Sequence, residues 1–305
     1  MVELTQRKIF YLWAPLAATW LMMSVEGPFL AAVIARLPDA KANLAAYGIA
    51  FSFALIVEAP IIMIFSASTA LAAGRTSFLR LRKFTYTLNA AITAAMLVVL
   101  CPPVFRFLAE GLIGLSPDIA RLTHTTTALM LPWPAAIGYR RFYQGLLVRS
   151  GRTRLVAYGT VVRLSSMAAV ATTLYATGRV PGACVGTAAL ASGVVMEAIA
   201  SRIMALRTAR HLRELDEESP PSYREIAHFY YPLALTSVLT LGVHPMVTFF
   251  IGQSRYALES LAVLPVVNSF GFIFRCFGIS FQEIGVALMG TRNSGLAALR
   301  RFAVR

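Results

Sequence analysis

The stretch LWAPLAATWLMMSVEGPFLAAVIA, residues 12–35, contains a single charged side chain, Glu26, which stands beside Gly27 and Pro28. A helix needs about 20 predominantly apolar residues to cross the hydrocarbon core of a bilayer, so this stretch predicts a membrane-spanning helix. Proline lacks a backbone N–H and clashes with the preceding helical turn. The same stretch therefore predicts a helix that breaks next to a carboxylate.

The composition of the whole chain agrees with a membrane protein. Of its 305 residues, 57% are hydrophobic and 14% are charged, whereas soluble domains contain about 25% charged residues. The apolar residues form long blocks, which indicates an all-α polytopic membrane protein. The N-terminus runs into the first block without a small-residue cleavage site, so we expect a retained first helix rather than a signal peptide.

Hydropathy predicts eight spans, and most of the Lys and Arg residues in the connecting loops lie on the side of the N-terminus. Positive loops face the cytoplasm, so we expect a cytoplasmic N-terminus in the inner (plasma) membrane. The net charge of +14 lies in these loops and forms no basic stripe with interleaved aromatics, so no nucleic-acid partner is expected. The expected partners are the lipid bilayer and a small-molecule substrate, with a monomeric protein. The predicted spans are 9–35, 44–72, 85–113, 122–147, 155–177, 183–206, 228–252 and 259–290.

The chain also contains an internal repeat at an offset of 217 residues. PLAATWLMMSVEGP (15–28) aligns with PLALTSVLTLGVHP (232–245), and the prolines at both ends of the two stretches coincide. Without a gap, LAAYGIAFSFALIVE (44–58) then aligns with LAVLPVVNSFGFIFR (261–275), and ALAAGRTS (70–77) aligns with ALMGTRNS (287–294). Six predicted spans separate equivalent points, so both copies cross the membrane in the same direction. The pattern predicts parallel repeats of a six-helix bundle.

Two parallel six-helix halves, each with a proline-broken first helix, resemble the multidrug/oligosaccharidyl-lipid/polysaccharide exporter superfamily, which includes MATE antiporters and lipid-linked oligosaccharide flippases. LAAYGIAFSF (44–53), EAP (58–60) and YPLALTSVLTLGVHPMVTFF (231–250) resemble the progressive-ankylosis (ANK-type) transporters of that superfamily. The resemblance implies a MATE-like N-terminal lobe (1–209), a cytoplasmic linker (210–227) and the start of a second lobe (228–305), so the second repeat is expected to be incomplete.

The resemblance further implies a secondary active exporter that works by alternating access. The expected substrate is a small organic or phosphate-bearing anion or a drug-like molecule, and the expected coupling ion is H⁺ or Na⁺. No other cofactor, metal site or catalytic residue is expected. A lipid-linked saccharide flippase of the same superfamily is the main alternative. A prenyl-transfer enzyme is a remote one, because no DxxxD-type pair is present to hold Mg²⁺ on a diphosphate.

Charged side chains inside the predicted spans are the candidate functional residues, because a charge near the bilayer centre is costly unless it faces a partner or a cavity. Glu58 and Arg275 occupy equivalent positions in the two repeats, which predicts an ion pair or gate between the lobes; the alternative is that each pairs within its own lobe. The remaining candidates inside the spans are Glu26, Arg163, Glu197, His244 and Glu283.

Glu26 is the strongest candidate for coupling, because burial in a cleft favours the protonated form of a carboxyl and enables proton exchange near neutral pH. A Na⁺ site that adds free backbone carbonyls is the variant of this hypothesis. His244 is one residue out of register with Glu26 in the repeat and is a second titratable candidate. A hydrogen-bonded histidine without a transport role is the alternative.

Prolines predict three helix breaks, at Pro28, at Pro245 and at Pro132 with Pro134. Each break frees backbone carbonyls that must face protein or a wet cavity; a packing kink is the alternative. Arg140 and Arg141 stand near the cytoplasmic end of the fourth predicted span. They are interpreted either as snorkelling anchors or as a cytoplasmic vestibule that attracts anions.

Overall fold

The computed structural model describes residues 5–289 and 296–303, and α-helices dominate these ranges, with no strand among them. The predicted all-α class is confirmed. The end of the last predicted span at residue 290 and most of the repeat stretch 287–294 lie outside the described residues. The helices are α1 Gln6–Ser24, α2 Glu26–Ile34, α3 Ala40–Glu58, α4 Ile64–Leu71, α5 Arg75–Leu100, α6 Pro102–Arg106, α7 Pro117–Ala128, α8 Trp133–Arg149, α9 Thr153–Thr177, α10 Gly182–Met204, α11 Leu206–Glu214, α12 Tyr223–Gly252, α13 Ala257–Leu288 and α14 Leu296–Ala303.

Seven helices in the described ranges are long and apolar enough to cross a membrane, as expected for a polytopic membrane protein. The predicted span 122–147 is different, because it consists of the two shorter helices α7 and α8. Pro132 caps α8 and Pro134 is its second residue, so the predicted break at these prolines is confirmed. The seven long spans are Gln6–Ile34, which α1 and α2 form together, Ala40–Glu58, Arg75–Leu100, Thr153–Thr177, Gly182–Met204, Tyr223–Gly252 and Ala257–Leu288.

The first predicted span breaks at Val25, and Pro28 is the third residue of α2, so the break predicted there is confirmed. The break predicted at Pro245 is wrong, because α12 runs through this residue without interruption. The residue before each proline supplies a physical reason for the difference. In a helix, Gly27 is less favourable than Ala by about 1 kcal/mol. His244, at the equivalent position, lowers helix stability by less than a glycine does.

A third interruption was not predicted. Residues 59–63 form a turn between α3 and α4, and this turn contains Pro60. The predicted span 85–113 is divided after Leu100, and three further spans are interrupted, after Ser24, after Glu58 and after Ala128. Because the backbone groups freed at such interruptions need partners, membrane proteins place them against protein or a cavity rather than against lipid.

The interior of the bundle is formed by α8 and α10. Helix α8 packs against α4, α5 and α10, and α10 packs most extensively against α9. By contrast, few residues of α12 and α13 are buried, and Phe250, Phe270 and Phe274 are exposed. At the end of α4, the Arg149 guanidinium donates to the carbonyls of Thr69 (2.8 Å) and Ala70 (2.9 Å). A cation there satisfies carbonyls that the helix end leaves free.

The predicted linker 210–227 is shorter in the structure, since α11 continues to Glu214 and α12 begins at Tyr223. The connecting loop packs on the first turn of α5. The amide of Arg75 donates to the Leu215 carbonyl at 2.9 Å, and the amide of Ser77 donates to Glu217 Oε2 at 3.0 Å. The loop therefore serves as the N-terminal cap of α5.

Helices α12 and α13 contact the N-terminal part of the chain chiefly through α1 and α3. Helix α13 packs against α1 and α3, and α12 packs against α3. In the second of these contacts the hydroxyls of Ser52 and Thr248 are 2.9 Å apart. Gly27 allows α2 to approach α13 closely, because a β carbon on this residue would lie 2.7 Å from Ser269 Cβ.

Candidate functional site

Seven charged residues from six helices meet in the interior, and all of them are buried. We call this set the charge cluster. Three of the helix interruptions contribute to it or to its immediate surroundings: Glu26 is the first residue of α2, Glu58 is the last residue of α3, and Trp133 is the first residue of α8. The members of the charge cluster are Glu26, Glu58, Arg140, Arg141, Arg163, Glu197 and Glu283.

Glu197 of α10 is the most extensively bonded carboxylate of the charge cluster. Its Oε2 accepts from Arg140 Nη1 at 2.5 Å and lies 3.5 Å from Arg163 Nη1. Its Oε1 accepts from Gln144 Nε2 at 3.0 Å and from the Thr160 hydroxyl at 3.4 Å. These contacts compensate the desolvation of a fully buried charge.

Glu26 is bonded to Arg163 of α9. Arg163 Nη2 donates to Glu26 Oε2 at 2.5 Å, and its guanidinium carbon lies 5.4 Å from the centre of the Trp133 ring. The position of Glu26 at the start of α2 adds stabilisation, because the N-terminus of a helix carries a partial positive charge. Arg163 thus joins Glu26 to Glu197.

Glu283 of α13 is bonded to residues of the N-terminal part of the chain. Arg141 Nη1 donates to Glu283 Oε1 at 2.7 Å, and Trp20 Nε1 donates to Glu283 Oε2 at 3.1 Å. The Arg141 guanidinium also stacks on the Trp20 ring at 4.8 Å, where a cation–π interaction is favourable. This buried ion pair links α8 to α13, and so joins the two predicted lobes.

Glu58 is the exception among the four carboxylates. Trp133 Nε1 donates to its Oε2, and no Lys, Arg or His nitrogen of the described ranges lies within 4.0 Å of its carboxylate. Its position at the end of α3 is also unfavourable for an anion, because the C-terminus of a helix carries a partial negative charge. The ionised form of Glu58 is therefore the least compensated charge of the site.

The charge cluster holds four carboxylates and three guanidiniums. With every group ionised, it carries one excess negative charge in a site removed from water. A buried charge without a partner costs several kcal/mol. The excess charge is relieved when Glu58 takes up a proton or a monovalent cation.

Several hydrogen-bonding atoms of the charge cluster have no partner among the described residues. They are Glu26 Oε1, the Nε atoms of Arg140, Arg141 and Arg163, and Arg163 Nη1. Buried polar atoms normally have hydrogen-bond partners, so the hydrogen bonding of the charge cluster is incomplete among the described residues. No group of three or more His, Cys, Asp or Glu side chains placed to hold a metal ion occurs within 5–289 and 296–303.

The structure places two sets of charged residues differently from the arrangements considered for the sequence. Glu58 and Arg275 do not pair, because Arg275 is exposed on α13 while Glu58 faces Trp133. Arg140 and Arg141 are neither snorkelling anchors nor a vestibule, because both are buried in ion pairs. Helix α8 continues to Arg149, which places the two arginines near its middle rather than at its end.

The structure separates His244 from the charge cluster. Its ring lies on α12, where Nδ1 is 3.5 Å from Asn268 Nδ2. The partners that the sequence did not predict are Trp20, Trp133 and Gln144. Gln144 lies four residues after Arg140, on the same face of α8, so its helical spacing was the available signal; no comparable local signal exists for the two tryptophans.

The comparisons with known proteins give a fold but no family. No family model matches the chain, and no curated protein matches it. A solved structure named protein A is similar to this chain with a TM-score of 0.70 at 11% identity. The alignment covers 97% of this chain and 66% of the other, so this chain spans less than two thirds of that protein's length. At such low identity the likeness concerns the helical fold alone.

Proposed function

We propose that this protein is a secondary active transporter of the MATE-like exporter group, and that uptake of a proton or Na⁺ at Glu58 drives its conformational cycle. The observation that carries the proposal is the charge cluster. It contains one carboxylate more than it has guanidiniums, and Glu58 is the carboxylate without a cationic partner in the described ranges. In membrane-spanning segments such ionisable residues mark ion and proton pathways.

Helix boundaries support the proposed pair of parallel repeats. Helices α1 and α12 begin at Gln6 and Tyr223, which are 217 residues apart, and α3 and α13 begin at Ala40 and Ala257, which have the same spacing. This is the offset of the sequence repeat. The helix packing is also reciprocal. In the repeat, α1 corresponds to α12 and α3 corresponds to α13, so a contact of α1 with α13 is equivalent to a contact of α12 with α3. Both contacts are present. Such reciprocity is expected of a pseudo-two-fold axis.

The interrupted helices support transport rather than a static scaffold. Transporters form their ion and substrate sites where membrane helices are discontinuous, because half-helix ends offer free backbone groups. Here the interruptions at Val25, at residues 59–63 and at residues 129–132 adjoin the charge cluster. Alternating access then requires contacts between the lobes that open and close, and the pair of Arg141 with Glu283 is the buried candidate.

The proposed substrate is a small organic or phosphate-bearing anion or a drug-like molecule, exported by exchange with the coupling ion across the inner membrane. Donor atoms without a partner on Arg140, Arg141 and Arg163 support recognition of an acceptor-rich substrate. Each of these arginines is already paired with a carboxylate. This pairing favours a small substrate over a lipid-linked saccharide diphosphate, whose flippase needs a strongly cationic cavity.

Reconstituting the full chain in proteoliposomes tests the proposal with the variant Glu58→Gln. Gln keeps the hydrogen bond with Trp133 and removes the charge, so it mimics permanent proton uptake. We expect a pH or Na⁺ gradient to drive accumulation of a transported member of a substrate panel in the wild type. In Glu58→Gln, this gradient-driven accumulation is lost, whereas substrate exchange between the two sides persists.

Asp118→Asn is the matched control, because Asp118 is a highly exposed carboxylate paired with Arg121. It should behave as the wild type. Glu26→Gln should act differently from Glu58→Gln, because it leaves Arg163 without its closest partner and therefore destabilises the fold. Gradient-driven accumulation that survives unchanged in Glu58→Gln contradicts the assignment of the coupling ion to Glu58.

A further inference from the structure

A second cluster of positive charge lies at the start of α5, and none of its residues belongs to the charge cluster. A cavity of about 770 Å³ opens there, and its walls come from the first four turns of α5 and from the start of α12. Spacings of three, four and seven residues place Arg75, Leu79, Arg82, Lys83 and Tyr86 on one side of the helix. Arg80 and Tyr223 also line the cavity, together with Thr76, Thr87 and Ala90.

Four of the residues that line this cavity are cationic and none is acidic. None of the four forms a salt bridge within the described ranges. Two carboxylates lie near the cavity, but neither lines it: Glu217 accepts from the Ser77 amide at 3.0 Å, and Glu225 accepts from the Ser222 amide at 2.6 Å. The lining of the cavity itself therefore carries a net positive charge.

The same helix offers an apolar surface that begins at the cavity. No charged residue occurs between Phe84 and Phe105, and Tyr86, Leu97 and Val98 are exposed. From Lys83 to Leu97 a helix rises about 21 Å at 1.5 Å per residue, which exceeds the thickness of one leaflet's hydrocarbon, about 15 Å. A cationic pocket thus continues into a lipid-length apolar face.

We propose that this cavity binds the headgroup of an anionic phospholipid, whose acyl chains lie along the exposed face of α5. Lys and Arg bond phosphate oxygens through charge-assisted hydrogen bonds, and basic pockets beside membrane helices recognise acidic headgroups. Arg80 already donates to the carbonyls of Pro220 (3.2 Å) and Pro221 (2.8 Å), so it holds the loop before α12 against the cavity. Arg75, Arg82 and Lys83 are left to contact the phosphate.

Occupancy of this cavity would join the loop before α12 to the start of α5, because its walls come from both helices. The bound lipid therefore stabilises the contact between the predicted linker and the N-terminal lobe. This consequence is independent of the transported substrate and of the role proposed for Glu58. It connects lipid composition to the stability of the fold.

Native mass spectrometry of the detergent-purified full chain tests the proposal, with phosphatidylglycerol, phosphatidylcholine and inorganic phosphate as probes. The double variant Arg82→Gln/Lys83→Gln removes two of the cations. At about 1 kcal/mol for each basic residue near an anionic lipid, it should weaken phosphatidylglycerol binding about thirtyfold. The matched control is Arg152→Gln/Arg154→Gln, which removes two exposed arginines at the start of α9 and should leave binding unchanged.

Three outcomes overturn the proposal. Equal losses in the two double variants show that binding is a general effect of charge. Equal affinity for phosphatidylcholine shows that the headgroup charge is not recognised. Displacement of phosphatidylglycerol by inorganic phosphate at millimolar concentration shows that the ligand is a soluble anion. Thermal melts in each lipid accompany the binding data, and only the wild type and the control variant should gain stability from phosphatidylglycerol.

Discussion

Replacing Glu283 by Gln tests whether the ion pair with Arg141 holds α13 against α8. The two side chains meet at 2.7 Å, and their exposed fractions are only 7% and 10%. The substitution leaves the Arg141 guanidinium buried without its counter-ion. Removing one partner of a buried pair costs about 3–5 kcal/mol.

Neighbouring groups set the expected value near the low end of that range. Arg141 keeps its cation–π contacts with Trp20 (4.8 Å) and Phe65 (5.5 Å), and the amide oxygen of the introduced glutamine can still accept from Trp20 Nε1. We therefore expect a loss of about 3 kcal/mol in the free energy of unfolding. This loss corresponds to about a hundredfold change in the unfolding equilibrium.

The measurement is the free energy of reversible unfolding in mixed micelles that contain increasing amounts of SDS. The double variant Arg141→Met/Glu283→Leu removes both charges and should lose less stability than Glu283→Gln alone, because apolar groups replace a buried pair at little cost. The chain supplies a matched control, since Lys41 and Glu259 form an exposed pair between α3 and α13. Glu259→Gln should change the unfolding midpoint very little, because water already solvates both groups.

The result that refutes the reasoning is equal stability of Glu283→Gln and Glu259→Gln. It means that the Arg141 guanidinium finds solvent as soon as its partner is removed, so the site is not closed to water. A double variant that is less stable than Glu283→Gln is a second contradiction. It shows that packing rather than charge determines the effect.

Two further predictions concern packing and helix ends. In the same SDS titration, Gly27→Ala should lower the free energy of unfolding by about 1–3 kcal/mol, because the added β carbon would lie 2.7 Å from Ser269 Cβ. The control Gly278→Ala places its β carbon in open space, so it should be neutral or stabilising. Arg149→Ala should lower the free energy of unfolding by about 1 kcal/mol, because two carbonyls at the end of α4 lose their donor. The control Arg152→Ala changes an exposed residue and should have no measurable effect on stability. Equal stabilities within either pair of variants would contradict the corresponding explanation.

Local chemistry explains which parts of the fold were predictable. Long apolar blocks require helices in a bilayer whatever their neighbours are, and the breaks at Pro28 and Pro132 follow from a missing donor and a steric clash. Pro245 shows the limit of that reasoning. The same covalent feature leaves α12 continuous, because the preceding residue and the surrounding helices decide whether a proline bends a helix or ends it.

The pairing of charges was not predictable in the same way. The repeat placed Glu58 opposite Arg275, yet the partner of Glu283 is Arg141, which lies 142 residues earlier in the chain. Arg140 was assigned to the end of one long span, 122–147, whereas the structure divides this span and begins α8 at Trp133, so Arg140 lies near the middle of a shorter helix.

The amino-acid sequence by itself determined that the chain is a helical, polytopic membrane protein. It also determined that two of its helices are broken by proline and that a few ionisable side chains lie within its apolar segments. These properties depend on hydropathy and on the covalent structure of single residues. Only the tertiary structure decided which carboxylate meets which guanidinium, and that Glu58 meets none within 4.0 Å in the described ranges. Such contacts join residues far apart in the chain, so they depend on the relative positions of six packed helices, which no local pattern specifies.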